Sequence, residues 1–189
     1  MITVFEEGYF NRYSRVNLDE SRDIIAHSQY SSVPTVFISH KHDDLNDLKG
    51  LLGFLEQEFH VKVYIDSKDP AMPKITSAKT AENIKQRITK CNKFILLATN
   101  AAIESKWCNW ELGYGDAKKY DSNSIAIFPM KPEYDGFNGS EYMEIYPHII
   151  YCNGYEKDTN GNFVQKGYYV LKEKDGIEYI TPLKQWLYS

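Results

Sequence analysis

Basic charge is in short supply in this chain. Its 22 lysines and arginines are outnumbered by 26 aspartates and glutamates, the formal net charge is −4, and the lysines are scattered rather than clustered. Nucleic-acid binding needs a concentrated basic face, so that class is excluded as the main partner. Cysteine is scarce too. Cys91, Cys108 and Cys152 are odd in number and show neither CxxC nor Cys/His spacing, which reads as reduced thiols rather than disulfides or zinc ligands, with no metal expected. No apolar run approaches the ~20 residues that span a bilayer. The first residues, Met1-Ile-Thr-Val-Phe-Glu-Glu7, lack the basic region and apolar stretch of a signal peptide. No membrane partner is therefore expected, and the expected location is the cytoplasm. Repeats and low-complexity tracts are absent as well.

What is present is ordinary for a globular protein: 42% hydrophobic and 25% charged residues over 189 positions, enough for one domain with a substantial core and a small appendage. The 15 tyrosines point to surfaces and late strands that use a ring with a polar tip. Residues 1–32 read as an N-terminal appendage, with a short helical pattern from Leu18 to His27 and Asn17 or Asp19 as its cap.

From Thr35 the rhythm changes to short apolar runs alternating with amphipathic segments. Thr35-Val-Phe-Ile-Ser39 reads as a buried strand, Asp43 to Phe59 carries leucines at helical spacing, and Val61 to Ile65 is a second strand. Residues 66–76 hold two prolines and no periodicity, a loop. A helix over Thr80 to Cys91, a strand over Lys93 to Ala98, a helix capped by Ser105 and ending near Tyr120, and a strand over Ser124 to Phe128, stopped by Pro129, complete the series. This β-α-β-α-β-α-β order calls for a doubly wound, flavodoxin-like parallel sheet with helices on both faces, an α/β fold placed at residues 33–152. A strand near His148 to Tyr151, a hairpin over 168–180 and a terminal helix from Pro182 to Tyr188 follow. Residues 153–189 form the C-terminal extension, a hairpin and helix packed on that domain.

The segment Ser105-Lys-Trp-Cys-Asn-Trp-Glu-Leu112 carries the most chemical information. On a helix, Glu111 has Trp107, Cys108, Tyr114 and Gly115 at i±3 and i±4, none of them cationic. A carboxylate in such surroundings is costly to keep ionised, and carboxylates of this kind in a cleft are functional-site candidates. In an open parallel sheet, ligands bind beyond the carboxyl ends of the strands, where the strand order reverses. Ser39-His40-Lys41-His42-Asp43, the 66–76 loop and Ala98 to Trp107 should converge there, with Glu111 one turn into the helix behind.

These motifs resemble the Toll/interleukin-1 receptor (TIR) family in its bacterial enzymatic form. The match runs through Val36-Phe-Ile-Ser-His-Lys-His-Asp43, Val63-Tyr-Ile-Asp66, Phe94-Ile-Leu-Leu-Ala98 and Ser105-Lys-Trp-Cys-Asn-Trp-Glu-Leu-Gly113, about half the chain. The resemblance implies an NAD glycohydrolase or cyclase that breaks the nicotinamide–ribose bond and makes a cyclic ADP-ribose-type signal, as in Thoeris-type anti-phage defence. It makes Glu111 the catalytic residue and Phe37, Ser39, His40, Lys41 and Trp107 the substrate-binding set, with no cofactor beyond NAD as substrate. It further implies self-association through the 66–76 loop and a separate effector that senses the product. The departure from the family is the Ser-His-Lys turn, where many relatives carry an aromatic after the serine.

Structural alternatives stand beside these assignments. Glu111 is otherwise an exposed helix carboxylate, His40 and His42 are surface or capping residues, Asp43 is a helix cap and Ser39 merely ends a strand. Cys108 reads as core. Trp107 and Trp110, three apart, are expected to point different ways, Trp107 to the site and Trp110 to the core. The rival functions are a non-catalytic TIR scaffold and a nucleoside 2-deoxyribosyltransferase-like enzyme with a nucleophilic glutamate.

Overall fold

A computed structural model describes residues 4–14, 32–65, 78–134, 136–139 and 141–189. The helix expected over 18–27 and the 66–76 loop lie outside the described residues.

Eight strands form one sheet: β1 (Phe5–Glu6), β2 (Thr35–Ser39), β3 (Lys62–Tyr64), β4 (Lys93–Ala98), β5 (Ile125–Lys131), β6 (His148–Cys152), β7 (Gly167–Lys174) and β8 (Ile177–Pro182). Their order is β3-β2-β4-β5-β6-β7-β8, with β1 paired to β5. The first five strands of that path are parallel, and β7 and β8 are antiparallel additions. The parallel part is the flavodoxin-like order, and its reversal falls between β2 and β4.

Every residue of β2 and β4 is buried, because helices cover both faces, and strands so enclosed are written as unbroken apolar runs. The period-2 alternation of a strand sorts their side chains into two cores. Val36, Ile38, Ile95 and Leu97 face helix α1 (Leu45–Phe59) and the terminal helix α5 (Leu183–Tyr188). Phe37, Phe94, Leu96 and Ala98 face α2 (Ala78–Lys90) and α4 (Lys106–Lys119). A short helix α3 (Asn100–Glu104) links β4 to α4.

Three expectations are corrected. Residues 4–14, assigned to an appendage, belong to the domain: β1 extends the sheet beside Met130 and Lys131, and Phe5 and Phe10 are buried in the α1-side core. The segment reaches α1 through two glycines, since a Cβ at Gly50 would stand 2.9 Å from the Phe10 carbonyl and one at Gly53 would overlap that of Tyr13. Pro129 does not stop β5. It stands opposite Ala98, the last residue of β4, where a missing N–H removes no interior rung, and the strand runs on to pair with β1. The C-terminal hairpin is not laid on a finished domain but continues its sheet through β6, turning at Asp175 and Gly176, both at positive φ (55° and 75°), the conformation of a two-residue hairpin turn.

Candidate active site

The carboxyl ends of β2 and β4 flank the strand-order reversal, and the polar residues expected there meet. Ser39 lies two residues beyond Phe37 and so projects to the same face, the one α4 covers. Its Oγ donates to Glu111 Oε2 at 2.5 Å, and both residues are buried, at 1% and 2% exposure. Glu111 is presented by a helix whose start is set locally: Ser105 caps α4, its Oγ accepting from the Cys108 N–H at 3.3 Å. The Asn109 side chain donates to the Ile103 carbonyl at 2.8 Å and ties α4 to α3. One turn beyond Glu111, Gly115 lets the helix come down on the sheet. A Cβ there would sit 3.0–3.2 Å from ring atoms of Phe94, so this glycine sets how near the Glu111 face of α4 lies to β2 and β4.

A second tie closes the same end of the sheet. The Asp44 carboxylate accepts from Thr99 Oγ1 at 2.6 Å, and Thr99 in turn caps α3, accepting from the Ala102 N–H at 3.0 Å. Burial raises the Asp44 carboxyl above its usual range, against the lowering effects of the Thr99 hydrogen bond and of His40. The expected cap, Asp43, is exposed; Asp44 holds the N-cap position and spends its side chain on Thr99 instead of on its own helix. The signal for this tie was legible as a threonine before Asn-Ala-Ala, a capping pattern, but its acidic partner was not.

The remaining expected residues divide. His40 is buried at 8% exposure beside Ser39, its Nδ1 3.4 Å from the Ile38 carbonyl oxygen. Lys41 is half-buried in the same turn, whose carbonyl accepts from the Asp44 N–H at 2.9 Å. Phe37, placed in the substrate-binding set, is a core residue. It is fully buried between the rings of Tyr64 (5.6 Å) and Phe94 (5.7 Å, 12° between planes), and close packing leaves it no face for a ligand.

Cys108 is buried as expected. Trp110 is not core: both tryptophans are half-buried and stack on each other at 4.9 Å and 26°. Residues three apart on a helix are neighbours, so the two rings meet instead of diverging. Among the described residues no cluster of three or more His, Cys, Asp or Glu side chains can hold a metal ion, and no helix is long and apolar enough to cross a membrane.

A carboxylate and a serine are thus buried together at the strand-order reversal, with aromatic rings one turn away along α4. Residues 36–159 match the TIR domain family. The chain belongs to that family. Over 119 residues, 60% of its length, this TIR domain protein is 32% identical to a Bacillus cereus (strain MSX-D12) protein named probable 3' cyclic ADP-D-ribose synthase ThsB'. The aligned stretch covers 59% of that relative, so the TIR protein spans about three-fifths of its length. The matched residues contain the whole Ser39–Glu111 site together with the Asp44–Thr99 tie.

Proposed function

We propose that this chain cleaves the nicotinamide–ribose bond of NAD and converts the remainder into a cyclic ADP-ribose-type signal. The observation that carries the reading is the buried Ser39–Glu111 pair at the carboxyl end of the sheet. The product class in the name of the Bacillus cereus relative supports it.

The reaction asks little of the protein. As the glycosidic C–N bond breaks, its electron pair goes to the nicotinamide nitrogen and neutralises the pyridinium charge, so no acid is required to protonate the leaving group. What needs stabilising is positive charge growing on the ribose, and one fixed carboxylate does that by electrostatics or by accepting from ribose hydroxyls. Ser39 donates to the Glu111 carboxylate and so orients it toward the sugar. Trp107 offers a ring face at the mouth. Lys41 and the backbone N–H groups that open α1 suit the diphosphate. Water then adds to the ribosyl centre to give ADP-ribose, or a group of the same molecule adds to give a cyclic isomer, and the nucleophile releases its proton.

The same reading places the protein in the cytoplasm as a signal producer in Thoeris-type anti-phage defence. It acts with a separate effector that senses the product, and it self-associates through residues 66–76. The test is nicotinamide release from NAD, with the product resolved by mass and retention. Purified protein that leaves NAD intact at high concentration, with or without lysate of phage-infected cells, defeats the reading.

A further inference from the structure

The face of α4 beside Glu111 carries a ring ladder of which the cleavage chemistry above uses Trp107 alone. Trp107, Trp110 and Tyr114 form a continuous ladder of stacked rings, with centroids 4.9 Å and 6.3 Å apart and planes within 26° and 20°. The ladder is anchored at its far end. Lys85 of α2 places its ammonium 5.6 Å from the Trp110 ring and 5.5 Å from that of Tyr114, Lys118 lies 5.9 Å from Tyr114, and the Tyr114 hydroxyl shares a 3.2 Å hydrogen bond with Thr89. All three rings are half-buried and pack on the α2/α4 core. Only the Trp107 end lies in the first turn of α4, one turn before Glu111.

A half-buried tryptophan at a helix start has rotamer freedom to lose, and something must take that freedom away if its ring is to present one plane to a ligand. Here a second indole covers one of its faces, that indole is covered by a tyrosine, and a neighbouring helix pins the assembly with a cation over the rings. We propose that Trp110, braced by Tyr114 and Lys85, is a positioning residue that holds the Trp107 ring in a fixed plane at the mouth of the Glu111 site, and so fixes the orientation of the substrate ring that packs there. The inference rests on the NAD-cleaving reading. Trp110 itself need not touch substrate: its contribution is to the fraction of bound molecules whose ribose faces Glu111.

The experiment compares Trp110→Phe, which keeps a flat ring on Trp107, with Trp110→Leu, which keeps apolar bulk without a plane. Misorientation in a site of this kind lowers turnover more than binding. Trp110→Leu should therefore lose roughly tenfold to a hundredfold in kcat with a smaller change in KM, while Trp110→Phe stays within about threefold of the starting protein. If the leucine variant does not fold, Trp110→Met replaces it with the same expectation. The stack has its own spectroscopic signature, because two indoles this close give an exciton couplet in circular dichroism. The chain has three tryptophans, and the third, Trp186, is buried with its Nε1 donating to the Asn123 carbonyl. The couplet should accordingly vanish in either Trp107→Phe or Trp110→Phe.

A leucine or methionine variant with unchanged kcat, a phenylalanine variant as damaged as the leucine one, or a starting protein without the couplet each overturns the proposal. An unmodified protein that leaves NAD intact defeats the functional reading first, and the proposal with it. An active one indifferent to the loss of the Trp110 ring defeats the proposal alone.

Discussion

At the amino end of the sheet two lysines are buried; at the carboxyl end the buried ionisable residues are Glu111 and His40, with Asp44 half-buried beside them. Lys93 opens β4, and its Nζ donates to Ser124 Oγ at 3.3 Å and Ser189 Oγ at 3.1 Å while lying 4.9 Å from the Trp186 ring. Lys119 closes α4 and donates to the carbonyls of Cys91 (2.5 Å) and Thr89 (3.3 Å). Each lysine is thus spent on groups of the fold itself. The carboxylates accept from hydroxyls, Glu111 from Ser39 and Asp44 from Thr99, at the carboxyl end of the sheet beside the strand-order reversal. Burial of charge does not by itself identify a site, because both ends bury it. The sign of the charge, the kind of partner and the position relative to the strand-order reversal separate chemistry from architecture.

The strongest way to break that contrast is to remove Glu111. Glu111→Ala should abolish nicotinamide release, a loss of roughly 10³-fold or more, since it deletes the group proposed to stabilise the developing ribosyl charge. The melting temperature should not fall, because the deleted group is a buried carboxylate. A variant that retains cleavage would make the carboxyl end architectural too. Ser39→Ala comes next. A hydrogen bond to a charged group is worth about 1.5–3 kcal/mol, which at 1.4 kcal/mol per decade corresponds to a fall of roughly ten- to hundredfold in kcat. Steady-state kinetics that show only a raised KM would make Ser39 a substrate ligand instead of the holder of Glu111.

The contrast also rests on how closely α4 approaches the sheet. Gly115→Val forces branched methyls into the 3.0–3.2 Å space beside Phe94. It should cost about 1–3 kcal/mol in denaturant unfolding, as other overpacked cores do, and lower cleavage because Glu111 shares that helix face. Lost stability with full activity would show that Glu111 tolerates displacement of its helix.

Much of this was written plainly in the chain. The strands Thr35–Ser39 and Lys93–Ala98 fall on the expected residues because an enclosed parallel strand has to be apolar throughout. Ser105 caps α4 because a serine before an amphipathic run satisfies an otherwise orphaned N–H. The topology put Ser39 and Glu111 at one crevice, whereas the hydrogen bond between them, 72 residues apart, was not foreseen. Other features resisted reading for identifiable reasons. Phe37 sits inside a motif adjoining the site, yet period-2 alternation sends a ring of its size into the packed face of β2. The Trp107–Trp110 stack was hidden by treating a spacing of three as divergence. The first residues looked like an appendage because they precede the regular strand–helix alternation, and what seats them is the close approach that Gly50 and Gly53 allow on α1. That seat is a property of a distant segment, invisible in the local pattern.

The smallest expected effect probes the amino end. Burial, with a lesser contribution from Lys119, lowers the Lys93 ammonium from its ordinary value near 10.5 to about 8. Between those two values the unfolded chain binds more protons at this position than the folded one, so stability rises with pH through that window, and below about pH 8 the buried charge is present at full cost. Cys91 acts in the opposite sense. Burial pushes its thiol up to about 12, so above pH 9 the folded state holds a proton that the unfolded chain releases, and stability falls. The Lys93 contribution therefore shows most cleanly between about pH 7.5 and 9, as a rise in the denaturant midpoint that is smaller in Lys93→Met measured in the same buffers, since burial lowers Lys119 as well and leaves its own share. Nicotinamide release by Lys93→Met, compared at one pH, should match that of the unsubstituted protein, since the lysine lies at the end of the sheet opposite Glu111. A flat stability profile in both proteins would mean that the lysine reaches water more freely than its enclosure implies. A loss of turnover would mean that the two ends are coupled through β4, and that charge buried for architecture also tunes the site.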